Sequence, residues 1–213
     1  MVENSTERKM PNVQVVQLAD KCFDLDQMPL LLYVGQINWK KNVRRILEAV
    51  NILHRQKRNI KLIMAGQGPS EAEVHALSAS LGLNDVVTYA VHMTDTQLLD
   101  GLYARADLLV FPSLYDNAPM VVWEAGALGT PSLLARGSCT SEVVQDGQNG
   151  LLANDTTADM AERIAWALDN PTELKKIGMA VRETIPKPWK DIITEVLARY
   201  EDLIRTTQRV RRC

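Results

Sequence analysis

The sequence predicts an α/β fold: a doubly wound, Rossmann-like parallel sheet of about six strands, with helices on both faces and a long C-terminal helix. Three observations carry this. From about residue 30 onward, short runs recur that are apolar at every position and not at alternate ones, the pattern of parallel strands buried on both faces. Amphipathic stretches with readable helix ends lie between them, and such strand–helix alternation implies a parallel sheet. After residue 155 only helical periodicity remains.

The predicted strands are, in order, "LLLYVG" (30–35), "IKLIMAG" (60–66), "VVTYA" (86–90), "DLLVFP" (107–112), "PSLLA" (131–135) and "GLLA" (150–153). Val43, Ile46, Leu47, Val50 and Leu53 keep helical spacing after the first of these. Ser70 with Glu73, and Thr94 with Gln97, have the spacing of capping boxes, and Gly82 reads as a stop signal. A further helix is expected to begin near Pro119. His54 and His75 read as helix-surface residues, while His92, after the third strand, reads as structural with ligand contact as the alternative. In the last segment Trp189, Ile192, Ile193, Val196, Leu197, Tyr200, Leu203 and Ile204 fall on one helical stripe, with Pro188 where a first turn accepts it. A stripe of this regularity is expected to pack on something.

With 213 residues, the chain is long enough for one substantial domain or two small ones. A net charge of −2 excludes a global field that would draw it to nucleic acid or an anionic membrane. The arginines of "IRTTQRVRRC" read as a solvated helix end, with a weak membrane-surface contact as the lesser alternative. Cys22, Cys139 and Cys213 are widely spaced and form no metal-ligand pattern, which suits a reduced compartment. The polar opening "MVENSTERKM" has no signal-peptide character, and no run approaches a membrane span. The expectation is a cytoplasmic protein, peripheral at a membrane at most. Residues 1–28 read as a lead-in, disordered or belonging to an interdomain region, and 29–213 as a single domain.

In an open parallel sheet, ligands bind at the carboxyl ends of the strands. After the first strand, "GQINWKKNV" offers Gly35 for a tight turn, then Lys40 and Lys41 at a helix start, an anion site if they are more than a solvated lysine pair. After the second, "GQGPSE" lacks the pattern of a dinucleotide fingerprint or P-loop, and a turn glycine with Pro69 explains it. After the fourth, Asp116, Asn117 and Pro119 make a loop and helix start, leaving the N–H groups of Met120 and Val121 to face an anion. Glu124, one turn into an otherwise apolar helix, would accept hydrogen bonds from vicinal hydroxyls such as those of a ribose. The alternative is that Asp116 and Asn117 merely cap the helix, which leaves Glu124 unexplained. Asp24 and Asp26 precede the first strand and read as a solvated turn more readily than as a metal site.

Taken in order, "YVGQINWKKN" with "ILEAV", "LIMAGQGP", "LGLNDVVTYAVHM", "LLDGLYARADLLVFPSLYDN", "EAGALGTPSLLA", "SEVVQDGQNGLL" and "PWKDIITEVLARYEDL" resemble the C-terminal, donor-binding domain of retaining GT-B-fold glycosyltransferases of family 4. The resemblance covers about residues 30 to 205. It implies that Asp116 and Glu124 are the family's two acids separated by seven residues, the first contacting the transferred sugar and the second the ribose. It makes Lys41 the lysine that neutralises the donor diphosphate, and Lys41 and Asp116 the catalytic pair. Gly35 and Gln36 would lie at the donor, the loop of Tyr89, Ala90, Val91 and His92 would hold the base, and Ser113, Asn117, Ala118, Pro119, Met120 and Val121 would line the sugar and phosphates.

Three positions depart from the family pattern: Gln36 stands for an arginine, Asp116 for a glutamate, and Val91 for a glycine. The implied partner is a nucleotide-diphosphate sugar, with no metal or other cofactor. The acceptor, a glycan, lipid or small molecule, would be bound by an N-terminal domain without counterpart here, or by a partner chain. The isolated domain is then expected to be inactive, and to self-associate through its last helix. The alternative is a non-catalytic nucleotide-sugar-binding module or a structural partner subunit of the same fold.

Overall fold

Continuous apolar runs make stable strands only where both faces of the sheet are covered, and that is where they lie. The computed structural model describes residues 6–7, 9–10, 12–25, 27–90 and 95–210, with side chains as far as 206. Its strands are β1 (Leu30–Val34), β2 (Lys61–Ala65), β3 (Val87–Ala90), β4 (Leu108–Phe111), β5 (Ser132–Ala135) and β6 (Leu151–Ala153). They form one sheet in the order β3-β2-β1-β4-β5-β6, each neighbouring pair parallel. Leu30, Leu31, Leu32, Leu108, Leu109, Val110, Leu133 and Leu134 are all completely buried, so consecutive residues, which point to opposite faces, both find cover.

The cover consists of α1 (Val13–Phe23), α2 (Val43–Arg55), α3 (Glu71–Ser80), α4 (Thr96–Arg105), α5 (Met120–Leu128), α6 (Thr157–Asp169), α7 (Pro171–Thr184) and α8 (Trp189–Val210). Helix α2 packs with α3 and α6, while α1, α4, α5 and α7 pack in succession. The chain builds outward from β1 to β2 and β3, then returns to the other side of β1 with β4. The loops leaving β1 and β4 therefore diverge at the centre of the sheet and open a crevice between them.

The amino-terminal segment, read from sequence as a lead-in, contains α1, whose cap is the Asn12 carboxamide accepting from Gln14 N–H. A Cβ on Gly101 of α4 would lie 2.3 Å from the Val15 carbonyl oxygen, so glycine there lets the two helices meet backbone to backbone. Arg105 fastens the same contact, donating to Asp20 (2.6 Å) and to the Met28 carbonyl (2.8 Å).

Three local expectations need correction. Ser70 occupies the N-cap of α3 but makes no side-chain cap bond; its N–H donates to the Ile37 carbonyl, and Glu73, its expected partner, accepts from the Trp39 indole. Helix α4 is capped by Asp95, which accepts from Gln97 and Leu98 N–H; Thr94 lies outside the described residues. His54 is exposed as expected, but His75 is half-buried, its ring 3.7 Å from that of Tyr89. The last helix keeps its stripe, but most of it is exposed. Ile192 is buried, whereas Trp189, Ile193, Leu197, Tyr200, Leu203 and Ile204 are each more than half exposed.

Candidate functional site

The crevice is built by two loops. Leaving β1, the chain passes Gly35 at φ 150°, then a short 3-10 turn, Trp39–Lys41, capped by Asn38, which accepts from Lys40 N–H. Leaving β4, it passes the completely buried Ser113, then Asp116 and Asn117, and enters α5 at Met120. The loops meet at an ion pair, Lys41 Nζ lying 2.5 Å from Asp116 Oδ1 with both side chains about one-fifth to one-quarter exposed, and at the Asn42 carboxamide, which donates to the Pro112 carbonyl at 3.3 Å.

The capping alternative for the acidic loop is not what the structure shows. Helix α5 has Pro119 at its N-cap and no side-chain cap bond, so neither Asp116 nor Asn117 is a helix cap. The N-cap residue itself offers no side-chain acceptor to the first N–H groups of α5, those of Met120 and Val121. The loop's shape is held from its other side, where the Thr140 hydroxyl donates to the Asp116 carbonyl at 2.9 Å. The second Asp116 oxygen, Oδ2, is buried and has no hydrogen-bond partner among the described residues. Buried carboxylate oxygens are seldom left so, and this one offers an acceptor to a hydroxyl entering the crevice.

Glu124 sits on α5 and is half-buried. The completely buried Tyr103 donates its hydroxyl to Glu124 Oε2 at 2.8 Å. Burial first, and then the Glu124 charge and hydrogen bond, push the Tyr103 hydroxyl pKa far up, so it remains a donor. The other carboxylate oxygen is thereby given a fixed direction. Tyr33 plays a comparable part beneath the first loop: its hydroxyl donates to the Gln36 carbonyl (2.7 Å), and its ring stacks on Phe111 at 6.0 Å. Burial, with the Asp116 charge second, raises its pKa. Tyr33 and Tyr103 escaped the sequence reading because each sits in or beside an apolar run as a core residue, and the hydroxyl partner of Tyr103 lies 21 positions away in the chain.

Gln36 is exposed, its side chain accepting from Asn38 at the long distance of 3.5 Å. Tyr89 and Ala90 close β3, two strands away from β1. Tyr89 is half-buried under α3, with its hydroxyl 3.5 Å from the Val74 carbonyl, and the Ala90 carbonyl accepts from Gly66 N–H. Val91 and His92 lie outside the described residues. Asn117 and Ala118 line a cavity of about 550 Å³ whose lining includes Trp123, Cys139 and Glu142 but neither Lys41 nor Asp116.

The "GQGP" stretch is more than a turn. A Cβ on Gly66 would lie 2.0 Å from the Gly35 oxygen, and one on Gly68 would lie 2.1 Å from the Ile37 oxygen. The loop after β2 is thus pressed against the loop that carries Lys41, and Ile37 N–H donates to the Gln67 carbonyl at 2.9 Å. Only glycine permits this approach. Among the described residues no cluster of His, Cys, Asp and Glu side chains is arranged to hold a metal ion, and no helix is long and apolar enough to cross a membrane.

With this geometry in hand, comparison with known proteins is informative. The profile of the family "Glycosyl transferases group 1" matches residues 23–184. A D-inositol 3-phosphate glycosyltransferase of Catenulispora acidiphila is 35% identical over 159 residues, 70% of this chain and 37% of the relative. An alpha-D-kanosaminyltransferase of Streptomyces kanamyceticus is 29% identical over 150 residues, 70% of this chain and 39% of the relative. Among solved structures, Anabaena HepE in complex with UDP-glucose superposes with a TM-score of 0.80 at 16% identity, over 96% of this chain and 57% of that one. The chain spans about two fifths of the length of these curated relatives.

Proposed function

Because the chain belongs to the glycosyl transferases group 1 family and has the fold of the C-terminal half of GT-B glycosyltransferases, we propose that it is the donor-binding half of a retaining glycosyltransferase. Its substrate is a nucleotide-diphosphate sugar. The observation that carries this reading is the convergence of Lys41 and Asp116 at 2.5 Å, beside the side-chain-uncapped start of α5, where the strand order reverses.

Each group then has a task. Lys41 and the first N–H groups of α5 take the diphosphate, whose negative charge grows as the bond to the anomeric carbon breaks. Preorganised cations and backbone dipoles stabilise such a leaving group without a metal. Asp116 accepts from hydroxyls of the transferred sugar, and Glu124, oriented by Tyr103, accepts from the ribose. Gly35, Gln36 and Ser113 border the diphosphate, and Tyr89, Ala90, Val91 and His92 mark the base end. With no side-chain nucleophile assigned, the acceptor oxygen attacks on the face from which the diphosphate departs, giving retention.

The acceptor is held by a surface outside these residues, in the same polypeptide or in a partner, so the chain alone binds donor but does not transfer sugar. One observation favours a second reading, that of a nucleotide-sugar-binding module without turnover: Gln36 is uncharged, which leaves the diphosphate with Lys41 as its main cation. The test is calorimetric titration with UDP-, GDP- and ADP-sugars, followed by a transfer assay with the acceptor-binding half supplied. Binding with transfer supports the first reading, binding without transfer or donor hydrolysis supports the second, and no binding to any donor contradicts both.

A further inference from the structure

Lys41 reaches the crevice from a turn whose shape is set elsewhere. The next residue, Asn42, has φ 60° and ψ 29°, the left-handed region that asparagine tolerates better than most residues. Its N–H closes the short turn on the Trp39 carbonyl at 2.9 Å, and α2 begins immediately after it. The backbone at Asn42 therefore fixes the direction in which Lys41 leaves the turn. This matters because a lysine side chain is a flexible stem carrying a point charge.

The Asn42 carboxamide is held from two directions. It donates to the Pro112 carbonyl at 3.3 Å, on the β4 loop, and to Asp155 Oδ1 at 2.9 Å. Asp155 lies between β6 and α6, 113 positions along the chain. The same carboxylate oxygen accepts from Arg45 Nε at 3.3 Å. Arg45 also donates to the Thr157 hydroxyl (2.8 Å), which donates in turn to Glu48 (2.8 Å). Neither side chain of the Asn42–Asp155 bond makes a helix-cap bond: α6 is capped by Thr156, and Asn42, although it occupies the N-cap position of α2, makes no side-chain cap bond to it.

We propose that Asp155 is a positioning residue for the donor diphosphate: through Asn42 it holds the Lys41 turn against the β4 loop, so that the ammonium group meets the phosphates already aimed. The proposal rests on the donor-site reading above. Asp155 itself does not touch the donor, and its effect passes through Lys41.

The test is calorimetry of the full chain with UDP, or with GDP or ADP if either binds more tightly, using Asp155→Ala, Asn42→Gly and their combination, with Lys41 intact and with Lys41→Ala. Thermal melts run alongside. Asp155→Ala is expected to weaken binding about two- to tenfold with Lys41 intact, and to change nothing once Lys41 is removed. Asn42→Gly, which keeps the backbone conformation but loses the carboxamide, should give the same loss, and the double variant no more than either alone. Asp155→Asn, which retains an acceptor oxygen for Asn42, should restore most of the affinity and stands in if Asp155→Ala does not fold. An undiminished affinity in Asp155→Ala, or an equal loss with and without Lys41, overturns the positioning role. If Lys41→Ala alone leaves binding unchanged, or no diphosphate binds, the donor-site reading itself has failed and the proposal falls with it.

Discussion

Lys41 and Asp116, 75 positions apart, form a part-buried ion pair at 2.5 Å. The cation assigned to the donor diphosphate is therefore already engaged in the free protein. On the donor-site proposal, an incoming diphosphate displaces the Asp116 carboxylate from Lys41, and that displacement frees the carboxylate to accept from the sugar.

The pair gives a prediction of unusual sign. Asp116→Asn removes both the competitor for Lys41 and a negative charge beside the diphosphate, so UDP should bind about two- to tenfold more tightly. The same variant should lose much of the extra affinity that an intact sugar donor has over UDP. Calorimetry with both ligands checks this, and weaker UDP binding by Asp116→Asn would mean that the carboxylate supports the diphosphate.

Tyr103 orients Glu124 without touching the ligand in this reading. Tyr103→Phe removes one hydrogen bond to a carboxylate and should weaken UDP binding about three- to tenfold. The loss should vanish when ribose is replaced by 2′,3′-dideoxyribose in the probe. A loss that persists with the dideoxy compound would place the effect of Tyr103 in packing.

Much of the architecture was legible in the sequence for a definite reason. A strand buried on both faces must be apolar throughout, and "DLLVFP" or "PSLLA" can hardly be read otherwise. Helix α1 was less legible because it buries only Ala19, and its contact with α4 depends on the missing side chain of Gly101. The capping box at Ser70 is not formed: the Ser70 N–H donates to Ile37 and Glu73 accepts from Trp39, both partners close in space but not in sequence. Of the candidate site, Asp116 and Glu124 could be singled out as charged groups following an apolar strand, whereas Lys41, which reads beside Lys40 as a solvated pair, is singled out by the family resemblance. The bonds that aim them, Tyr103 to Glu124 and Asp155 to Asn42, join residues far apart in the chain and leave no local pattern.

Stability should depend on pH through Asp146. Burial raises its pKa, but hydrogen bonds from Arg136 and Leu152 N–H and the charges of Arg163 and Arg136 outweigh this, and the net shift is downward. A carboxyl with a lowered folded-state pKa stabilises the fold above its unfolded value, about 3.9, and loses that contribution as pH falls through the folded value. Asp146→Asn should cost roughly 1–3 kcal/mol at pH 7, with the difference from the parent shrinking below about pH 4. Melting curves between pH 7 and 2 measure it, and a difference independent of pH would show that the charge is not responsible.

The exposed stripe of α8 should drive association. Trp189, Ile193, Leu197, Tyr200, Leu203 and Ile204 present apolar surface along one helix, more than a lone surface residue would. Light scattering should show concentration-dependent self-association that Leu197→Glu with Leu203→Glu abolishes while the melting temperature stays unchanged. A strictly monomeric parent at high concentration, with no binding of an apolar dye, contradicts this.

The donor-site assignment as a whole is tested most directly by titrating UDP, GDP and ADP into the parent chain, Lys41→Ala and Glu124→Ala by calorimetry, with thermal melts to establish folding. Each side chain is assigned charge-assisted hydrogen bonds worth about 1.5–3 kcal/mol. Each variant should therefore bind the preferred diphosphate roughly ten- to a hundredfold more weakly, and Lys41→Ala should also flatten the salt dependence of what remains. If both variants fold and bind as the parent does, Lys41 and Glu124 are ordinary surface and structural residues, and the crevice between the β1 and β4 loops is not a donor site.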